Sequence, residues 1–379
     1  MFNLGIYINY DVNQEMDNVF QNTTLNSSLI SLNQYGGVYL SQYCNQSNIT
    51  VNATHFQENN QNGLVIESCE SAEAVDWFYL DPVEKMSFQA NTYKRYYNKT
   101  IKYVHLNISW NEFDANRLNG LKIMHIQNMI GIITNNTFRN HRKGALLITA
   151  NQSKLSDSLI RNVSIKIQFN RFINNSGRYA INVAVNELAD KQIQQINITF
   201  NRFEYNYMYD PYKNKLNSRS SVSGVAIVSS SRVAINQNWF NNPMSRLQIA
   251  THLENHTSQI NASYNWFANL QPVYDLNYFF TLRDKCNQQW SLVRGQVFDQ
   301  ANRSSLAEVV YWPYACNEKL WFHESSNYLK PPADFDLMAL DSLGGIFDLG
   351  DSVLPVNRYT VTNDILVKPN AKLTLKSGN

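Results

Sequence analysis

A tripeptide of the form Asn-x-Phe recurs along this chain and constrains its fold more than any other feature. Successive copies lie 25, 34, 31, 37 and 27 residues apart, and a degenerate copy surrounds Asn52 and Phe56. The copies pair Asn111 with Phe113, Asn136 with Phe138, Asn170 with Phe172, Asn201 with Phe203, Asn238 with Phe240 and Asn265 with Phe267. A period of this length indicates a repeat protein, in which each repeat buries its apolar face against its neighbours.

Short strands are predicted on both sides of each copy. Apolar residues alternate before it, as at Ile196, Ile198 and Phe200, and a period of two predicts a strand with one buried face. In the corresponding runs the last apolar residue is Trp110, Phe169, Phe200 or Tyr264. Another Asn, often a Gly and a second apolar run such as 144–148 follow the copy.

No amphipathic helical stretch separates the copies, which argues against βαβ units. The Leu-x-x-Leu-x-Leu frame of leucine-rich repeats is also absent. The sequence therefore predicts an all-β fold, a right-handed parallel β-helix (solenoid). An antiparallel sandwich is the alternative.

Stacked coils of this kind have specific consequences for the repeated residues. Neighbouring strands lie about 4.8 Å apart, so each Phe is expected to lie over the Phe of the next coil in an interior column. The Asn amide both donates and accepts, so the Asn side chains are expected to form a hydrogen-bonded ladder. The same Asn is expected to adopt the left-handed conformation that turns the chain.

The composition fits this interpretation and excludes other classes. Asn accounts for 52 of the 379 residues, whereas charged residues make up only 16%. Lys and Arg (32) nearly balance Asp and Glu (30), which excludes a nucleic-acid binder that works through an excess of positive charge. An aromatic content of 13% excludes a disordered chain.

Many asparagines lie in Asn-x-Ser/Thr sequences, the acceptors of N-glycosylation. There are fifteen such sites, where chance gives about seven. Asn, Ser and Thr all favour turns, which raises the count, but an excess of this size predicts a secreted glycoprotein. The acceptor positions are Asn22, Asn26, Asn45, Asn48, Asn52, Asn98, Asn107, Asn135, Asn151, Asn162, Asn174, Asn197, Asn255, Asn261 and Asn302.

The four cysteines form two local pairs in the sequence. Cys44 and Cys69 are 25 residues apart, and Cys286 and Cys316 are 30 apart. Of the three possible pairings, we favour the two local disulfides, with four buried free thiols as the alternative. Because no Cys-x-x-Cys pair exists, a zinc site is not expected.

The two ends of the sequence predict a piece of a longer chain. The first residues lack the basic and apolar regions of a signal peptide, and no run of 18 apolar residues could span a membrane. Membrane attachment is therefore expected only through regions outside this sequence.

The residues after the last Asn-x-Phe copy resemble the ending of many β-helix domains. That ending reads Asn-x-Trp-Trp-Gly, a short helix with an Ile/Arg-x-x-Asp element, then Val-x-Tyr-x-Pro, and here Phe267 and Ala268 replace Trp-Gly. The tail resembles the opening of another such module, Asp-Ile-x-Val and then Pro-Gly-Ala-x-Leu-Thr-Ile, with Asn370 in place of Gly. These likenesses imply β-helix repeats over 1–270, a capping segment over 271–330, a linker over 331–343 and the opening rungs of a second, truncated β-helix module over 344–379.

A module that ends and restarts within one glycosylated chain resembles the tandem β-helix (pectin-lyase-like) regions of the bark beetle family of invertebrate tricellular-junction proteins. The scavenger-receptor cysteine pattern that this family also carries is not visible in the sequence. The resemblance implies part of the ectodomain of a membrane protein at cell–cell junctions. The partners it implies are other cell-surface or matrix proteins, or glycans, and no nucleic acid.

Catalytic and metal-binding patterns are weak. Lyases need clustered Asp for calcium and a basic residue, and glycosidases need paired carboxylates. The carboxylates of the repeats do not recur at one phase of the coil. His252 and His256 have zinc spacing only on a helix, and they lie between predicted strands. The sequence therefore predicts no catalytic residue, no metal and no cofactor.

We expect a non-enzymatic extracellular scaffold or adhesion module. One alternative is a carbohydrate-active β-helix enzyme, a polysaccharide lyase or glycosidase, which requires three or more carboxylates to converge. Another is a glycan-binding module without catalysis, which requires a row of aromatic residues outside the coil. Tyr205, Tyr207 and Tyr209 could begin such a row, although an exposed loop would also explain them.

Overall fold

A computed structural model describes much of the chain, with gaps. The described residues are 6–9, 21–34, 36–43, 47–68, 103–124, 126, 129–149, 163–185, 194–209, 222–268, 293, 295–311, 314–315, 328–329, 342–347, 350–354, 360–367 and 371–375. They fall into two compact units. The first is Met1–Asn170 with Ala184–Ile196, and the second is Arg171–Val183 with Asn197–Asn379.

The first unit consists of short strands that build three parallel sheets. Its strands are β1 Ile6–Asn9, β2 Gln21–Asn26, β3 Leu29–Ser31, β4 Val38–Tyr43, β5 Ser47–Asn52, β6 His55–Gln57, β7 Leu64–Ser68, β8 Val104–Ser109, β9 Glu112–Asp114, β10 Asn119–Met124, β11 Met129–Thr134, β12 Thr137–Arg139, β13 Gly144–Thr149 and β14 Val163–Gln168. Sheet A runs β1-β4-β7-β10-β13, sheet B runs β2-β5-β8-β11-β14, and sheet C runs β3-β6-β9-β12. Every third strand is therefore a neighbour, as in a chain that winds in coils.

The second unit repeats this arrangement. Its strands are β15 Arg171–Ile173, β16 Ser176–Gly177, β17 Ile181–Ala184, β18 Gln194–Thr199, β19 Arg202–Glu204, β20 Tyr207–Met208, β21 Ala226–Val228, β22 Val233–Asn236, β23 Trp239–Asn241, β24 Ile249–Thr251, β25 Gln259–Asn261, β26 Trp266–Phe267, β27 Val297–Phe298, β28 Glu308–Val310, β29 Tyr314–Ala315, β30 Tyr328–Leu329, β31 Ser342–Phe347, β32 Gly350–Leu354, β33 Thr360–Val367 and β34 Ala371–Leu375. Sheet A here runs β17-β21-β24-β27, and sheet C runs β15-β19-β23-β26-β29. β17 and β18 each include residues of both units.

The predicted parallel β-helix is confirmed. Between described strands the pairing is parallel except at β29 and β30, which pair antiparallel. Crossover connections between parallel strands are right-handed almost without exception, which gives the helix its hand. The antiparallel sandwich is therefore wrong for the part of the chain that the structure describes.

One coil shows how local sequence produces the winding. The sheet B strand β8 ends at Ser109, Trp110 adopts a left-handed conformation with φ 58°, and the sheet C strand β9 follows. Ala115, with φ 49°, then turns the chain toward the sheet A strand β10. Two left-handed residues therefore flank the short sheet C strand and make its two corners.

This geometry corrects one expectation from the sequence. The left-handed residue is not the Asn of the tripeptide but the residue before it. The described examples are Trp110, Asn135, Phe169, Phe200, Gln237 and Tyr264. Trp110 is 67% exposed and Phe169 50% exposed, so the buried alternation stops two residues earlier than predicted. The physical reason is that the Asn side chain has to point inward, and the turn before it sends the preceding side chain outward.

The segment predicted as a cap adds strands to the preceding coil. β27 pairs with β24, β28 with β25 and β29 with β26, all in parallel. The antiparallel β30 then lies on β29, at the end of sheet C. In the predicted second module, β31 pairs with β33 and β32 with β34, again in parallel. The predicted linker 331–343 lies almost wholly outside the described residues.

Candidate interaction surface

Columns of phenylalanine rings fill the interior of each unit. In the first unit Phe56 stacks on Phe113 at 4.8 Å between ring centroids, and Phe113 stacks on Phe138 at 4.7 Å. In the second unit the separations are 4.7 Å from Phe172 to Phe203, 4.8 Å from Phe203 to Phe240 and 5.5 Å from Phe240 to Phe267. Each of these rings is at most 1% exposed. The columns bury large apolar surfaces at the spacing of the coils.

The asparagines of the tripeptide form a ladder beside the rings. Asn111 Nδ2 donates to Asn136 Oδ1 at 2.9 Å, and Asn136 Nδ2 donates to Asn170 Oδ1 at 3.0 Å. In the second unit Asn201 Nδ2 donates to Asn238 Oδ1 at 3.0 Å, and Asn238 Nδ2 to Asn265 Oδ1 at 3.2 Å. These side chains are buried, so the amides satisfy one another where water is excluded.

Each ladder amide also holds the backbone of its neighbours. Asn136 Oδ1 accepts from the backbone N–H of Asn111 at 2.9 Å, and Asn136 Nδ2 donates to the carbonyl oxygen of Ile108 at 2.9 Å. An ionised Asp side chain could accept hydrogen bonds but not donate them, and its negative charge would be repelled by the neighbouring acceptor oxygens. The ladder therefore needs an amide at each rung.

A second ladder, which the sequence pattern does not predict, runs along the other corner of sheet C. In the second unit Asn175 Nδ2 donates to Asn206 Oδ1 at 2.9 Å, and Asn206 Nδ2 donates to Asn242 Oδ1 at 2.8 Å. In the first unit the rungs are Asn33, Asn59 and Asn116, joined by two bonds of 2.8 Å. Its signal is an Asn two or three residues after the Phe, a position at which the sequence predicts only a turn.

His141 occupies the next position of the second ladder in the first unit. Its Nδ1 donates to the carbonyl oxygen of Asn116 at 3.2 Å, and the side chain is fully buried. Burial lowers the pKa of His141 to about 4. Gly120 makes room for the ring, because a Cβ there would lie 2.6 Å from His141 Nε2. The imidazole is therefore neutral at physiological pH.

The outer face of sheet C in the first unit carries ion pairs that are already formed. Arg139 Nη2 lies 2.7 Å from Glu112 Oε1 and 3.0 Å from Asp114 Oδ2. His55 Nδ1 lies 3.0 Å from Glu112 Oε2, and Asn140 Nδ2 donates to Asp114 Oδ1 at 2.8 Å. The acidic groups of this face are therefore engaged by neighbouring coils.

The same face in the second unit is aromatic and cationic. Its outward column consists of Arg171, Arg202, Trp239 and Trp266, which are paired in register from coil to coil. The guanidinium carbon of Arg202 lies 4.2 Å from the ring centroid of Trp239. The rings of Trp239 and Trp266 meet edge to face at 5.1 Å. We call these four residues the Arg–Trp column.

Three tyrosines named from the sequence lie outside the coil. Tyr205 is 59% exposed, and Tyr207 and Tyr209 are also exposed, whereas the intervening Asn206 and Met208 are buried. The rings of Tyr207 and Tyr209 stack at 5.4 Å. Tyr207 and Tyr209 therefore share one side of the chain, whereas Tyr205 is a left-handed corner residue with φ 55°.

The described acceptor asparagines avoid the interior. Those that are half-buried or exposed are Asn22, Asn26, Asn48, Asn52, Asn107, Asn135, Asn174, Asn197, Asn255, Asn261 and Asn302. On sheet B of the first unit they meet across coils, where Asn48 Nδ2 donates to Asn22 Oδ1 at 3.0 Å and Asn52 Nδ2 to Asn26 Oδ1 at 3.3 Å. Asn45, Asn98, Asn151 and Asn162 lie outside the described residues.

The described carboxylates are not gathered into a metal-binding group. Within the described ranges, no three His, Cys, Asp or Glu side chains are grouped so that they could hold a metal ion. A shallow depression of about 480 Å³ on the outer face of sheet B in the first unit is lined by Asn48, Ile49, Thr50, His105, Leu106, Asn107, Ile130, Gly131, Ile132, Ser164 and Lys166. This lining contains no carboxylate and includes two of the acceptor asparagines, Asn48 and Asn107.

The cysteines of the two predicted disulfides are not among the described residues. Cys44, Cys69, Cys286 and Cys316 are all outside the described residues. The backbone nearby is described, however, and Tyr43 is paired with Ser68 across neighbouring coils of sheet A.

In the described part of the chain, no helix has the length and apolar character needed to cross a bilayer.

The fold and its interior columns define a parallel β-helix repeat protein. The chain is 24% identical to the protein named Protein bark beetle from Drosophila melanogaster over 385 residues, a match that includes 94% of this chain. The chain spans only 10% of the length of that relative. No protein-family model matches the chain, and no solved structure gives a match.

Proposed function

We propose that this chain is a non-enzymatic scaffold or adhesion module, part of a larger extracellular protein that organises cell–cell junctions. The observation that carries the proposal is the contrast between interior and exterior. Repeated Phe and Asn side chains hold each unit together, while the outer faces differ and present polar, ionic or aromatic groups. Such a β-helix unit can present contact surfaces to partners without a conformational change.

Two further observations support this function. The similarity to Protein bark beetle extends over 94% of the chain, and the sequence resembles a family found at tricellular junctions. The carboxylates Glu112 and Asp114, which would be candidates for acid–base chemistry, are both bound by Arg139. A glycosidase instead needs one carboxyl group to act as an acid and one as a base or nucleophile.

Surface staining tests the proposed location. An antibody against the chain, applied to unpermeabilised cells that express the full-length protein, should label the cell surface most strongly where cells meet. Permeabilised cells from which the gene has been deleted provide the control. Staining confined to the interior of the cell would contradict the proposal.

An activity assay tests the absence of catalysis. The purified chain is incubated with pectin, alginate and glycosaminoglycans, and new reducing or unsaturated ends are measured. We expect none above a boiled sample. Depolymerisation that is lost in the Glu112→Gln variant would favour the carbohydrate-active enzyme instead.

A further inference from the structure

The Arg–Trp column has the chemistry of a binding site. Arg171 and Arg202 are exposed, and Trp239 and Trp266 are half-buried. Arg171 Nη2 lies 3.2 Å from Glu204 Oε2, so one cation is paired, while the guanidinium carbon of Arg202 lies over the Trp239 ring. Tyr264 stands at the corner two residues before Trp266 and is 36% exposed. The face therefore combines planar rings with guanidinium groups.

The polar atoms of the four column side chains are all hydrogen-bond donors. Guanidinium and indole groups donate and do not accept, and Arg recognises planar anions such as carboxylates by paired bonds. A ligand that suits the column must therefore supply acceptors, preferably charged ones. It must also offer a flat apolar face to the tryptophans.

The spacing of the column favours a sugar chain over a peptide. Neighbouring coils present equivalent side chains about 4.8 Å apart, whereas an extended peptide repeats the same side only every 6.6–6.8 Å or so. A peptide laid along the column would therefore lose register after one or two contacts. A hexopyranose residue advances a polysaccharide by about one coil spacing, and the C–H face of its ring packs on an indole.

No acceptor asparagine lies on the outer face of these strands in the described part of the second unit. The outward positions of β15, β19, β23 and β26 carry Arg171, Ile173, Arg202, Glu204, Trp239, Asn241 and Trp266, and none of them begins an Asn-x-Ser/Thr sequence. In contrast, the outer face of sheet B in the first unit carries several. If the acceptors are glycosylated, the Arg–Trp column remains uncovered by sugars attached to its own strands.

We propose that the Arg–Trp column binds an anionic oligosaccharide, with one sugar residue over each coil and its sulfate or carboxylate groups on Arg171 and Arg202. The exposed parts of the indole rings contact the sugars, and the arginines select for negative charge. This inference names a ligand for the scaffold of the proposed function. It rests on that function in one respect, namely that the sugar is bound and not cleaved.

The test measures binding of the whole 379-residue chain to size-defined oligosaccharides by calorimetry. The probes are sulfated heparin fragments, carboxylated hyaluronan fragments, neutral dextran fragments and polyglutamate. We expect the anionic sugars to bind and dextran to bind weakly. Affinity should rise with length up to about four sugar residues, one for each coil of the column, and then level off.

Substitutions locate the site. The double variant Trp239→Ala/Trp266→Ala should weaken binding about tenfold or more, and Arg202→Ala should weaken it several-fold. Arg202→Lys keeps the charge but loses the planar group, so its affinity should lie between that of the unaltered chain and that of Arg202→Ala. Trp110→Ala is the matched control, because Trp110 is an exposed tryptophan of the first unit. The melting temperature of each variant shows that it is folded.

Several outcomes would overturn the inference. Equal binding of dextran removes the role of charge, and equal competition by polyglutamate assigns the face to an acidic peptide. An equal loss in the Trp110→Ala variant places the site elsewhere. Recovery of shortened sugar after binding would contradict the scaffold function but leave the binding site in place, so the two proposals fail separately.

Discussion

The two units of this chain are alike inside and different outside. Phe113 in the first unit and Phe203 in the second occupy the same interior column position, each next to a buried amide ladder. On the outer face of sheet C, however, the first unit has ion pairs around Arg139, whereas the second has the Arg–Trp column. The fold therefore requires the same types of residue in the interior of both units, whereas the residues of the outer faces can differ and can serve a function.

The largest expected effect tests whether the interiors are equivalent. Asn136→Asp in the first unit and Asn238→Asp in the second should each lower the free energy of unfolding by about 3–5 kcal/mol, because a buried charge replaces the hydrogen bonds that the side-chain amide donates. Urea denaturation measures the loss. The neighbouring Asn135→Asp and Gln237→Glu, at half-buried corner positions, should cost less than about 1 kcal/mol. If only one unit loses stability, the interiors are not equivalent.

A covalent link in the first unit has the next largest expected effect. Tyr43 and Ser68 are paired across coils, and each immediately precedes a cysteine, so we predict a Cys44–Cys69 disulfide. Its removal by Cys44→Ser together with Cys69→Ser should cost about 3 kcal/mol. Mass spectrometry of non-reduced peptides identifies the link. Alkylation of both cysteines in the native, unreduced protein would show free thiols instead.

Acid sensitivity should distinguish the second ladders of the two units. The pKa of His141 is lowered to about 4 by burial, while an unfolded His titrates near about 6.5. The unfolded chain therefore binds the proton first. Stability from this group is complete above about pH 6.5 and decreases as the pH falls to about 4, by about 3 kcal/mol in total.

His141→Asn isolates this effect, since it restores the residue type of the other rungs. The free energy of unfolding of this variant should fall less between pH 7 and pH 4 than that of the unaltered protein. His256→Gln, at an exposed position, serves as the control and should keep the original pH dependence. An identical pH profile for all three proteins would show that His141 is not the responsible group.

The smallest effects are expected on the outer faces. Arg139→Ala and Arg202→Ala should each change the free energy of unfolding by less than about 1 kcal/mol, because exposed ion pairs and exposed cation–π contacts contribute little. Thermal melting measures both. A loss of several kcal/mol in either variant would mean that its outer face also holds the fold together.

Much of the fold could be predicted from the sequence because the interior repeats chemically. The Asn-x-Phe spacing and the alternating apolar residues predict parallel coils, and the structure confirms that fold. The ladder of Asn111, Asn136 and Asn170 lies along one corner, as six copies of one tripeptide suggest. The pattern is visible in the sequence because every coil buries the same types of side chain against its neighbours.

The corners and the exterior were harder to predict. Trp110 extends an apolar alternation, and only its left-handed backbone shows that the side chain points outward. The second ladder could not be predicted from the sequence because His141 replaces Asn in it and because Asn is common in turns. The Arg–Trp column joins residues about 30 positions apart, which become neighbours only through the register of the strands.

Hydrogen exchange at the ladder asparagines tests the central claim most directly. The backbone amides of Asn111, Asn136 and Asn201 lie between strands, and each donates to the side-chain oxygen of the next rung at 2.9 to 3.0 Å. If the ladders hold the coils in register, residue-resolved mass spectrometry should find these amides exchanging as slowly as those of the adjacent strands. Exchange as fast as that of exposed turn residues such as Met244 would contradict the account.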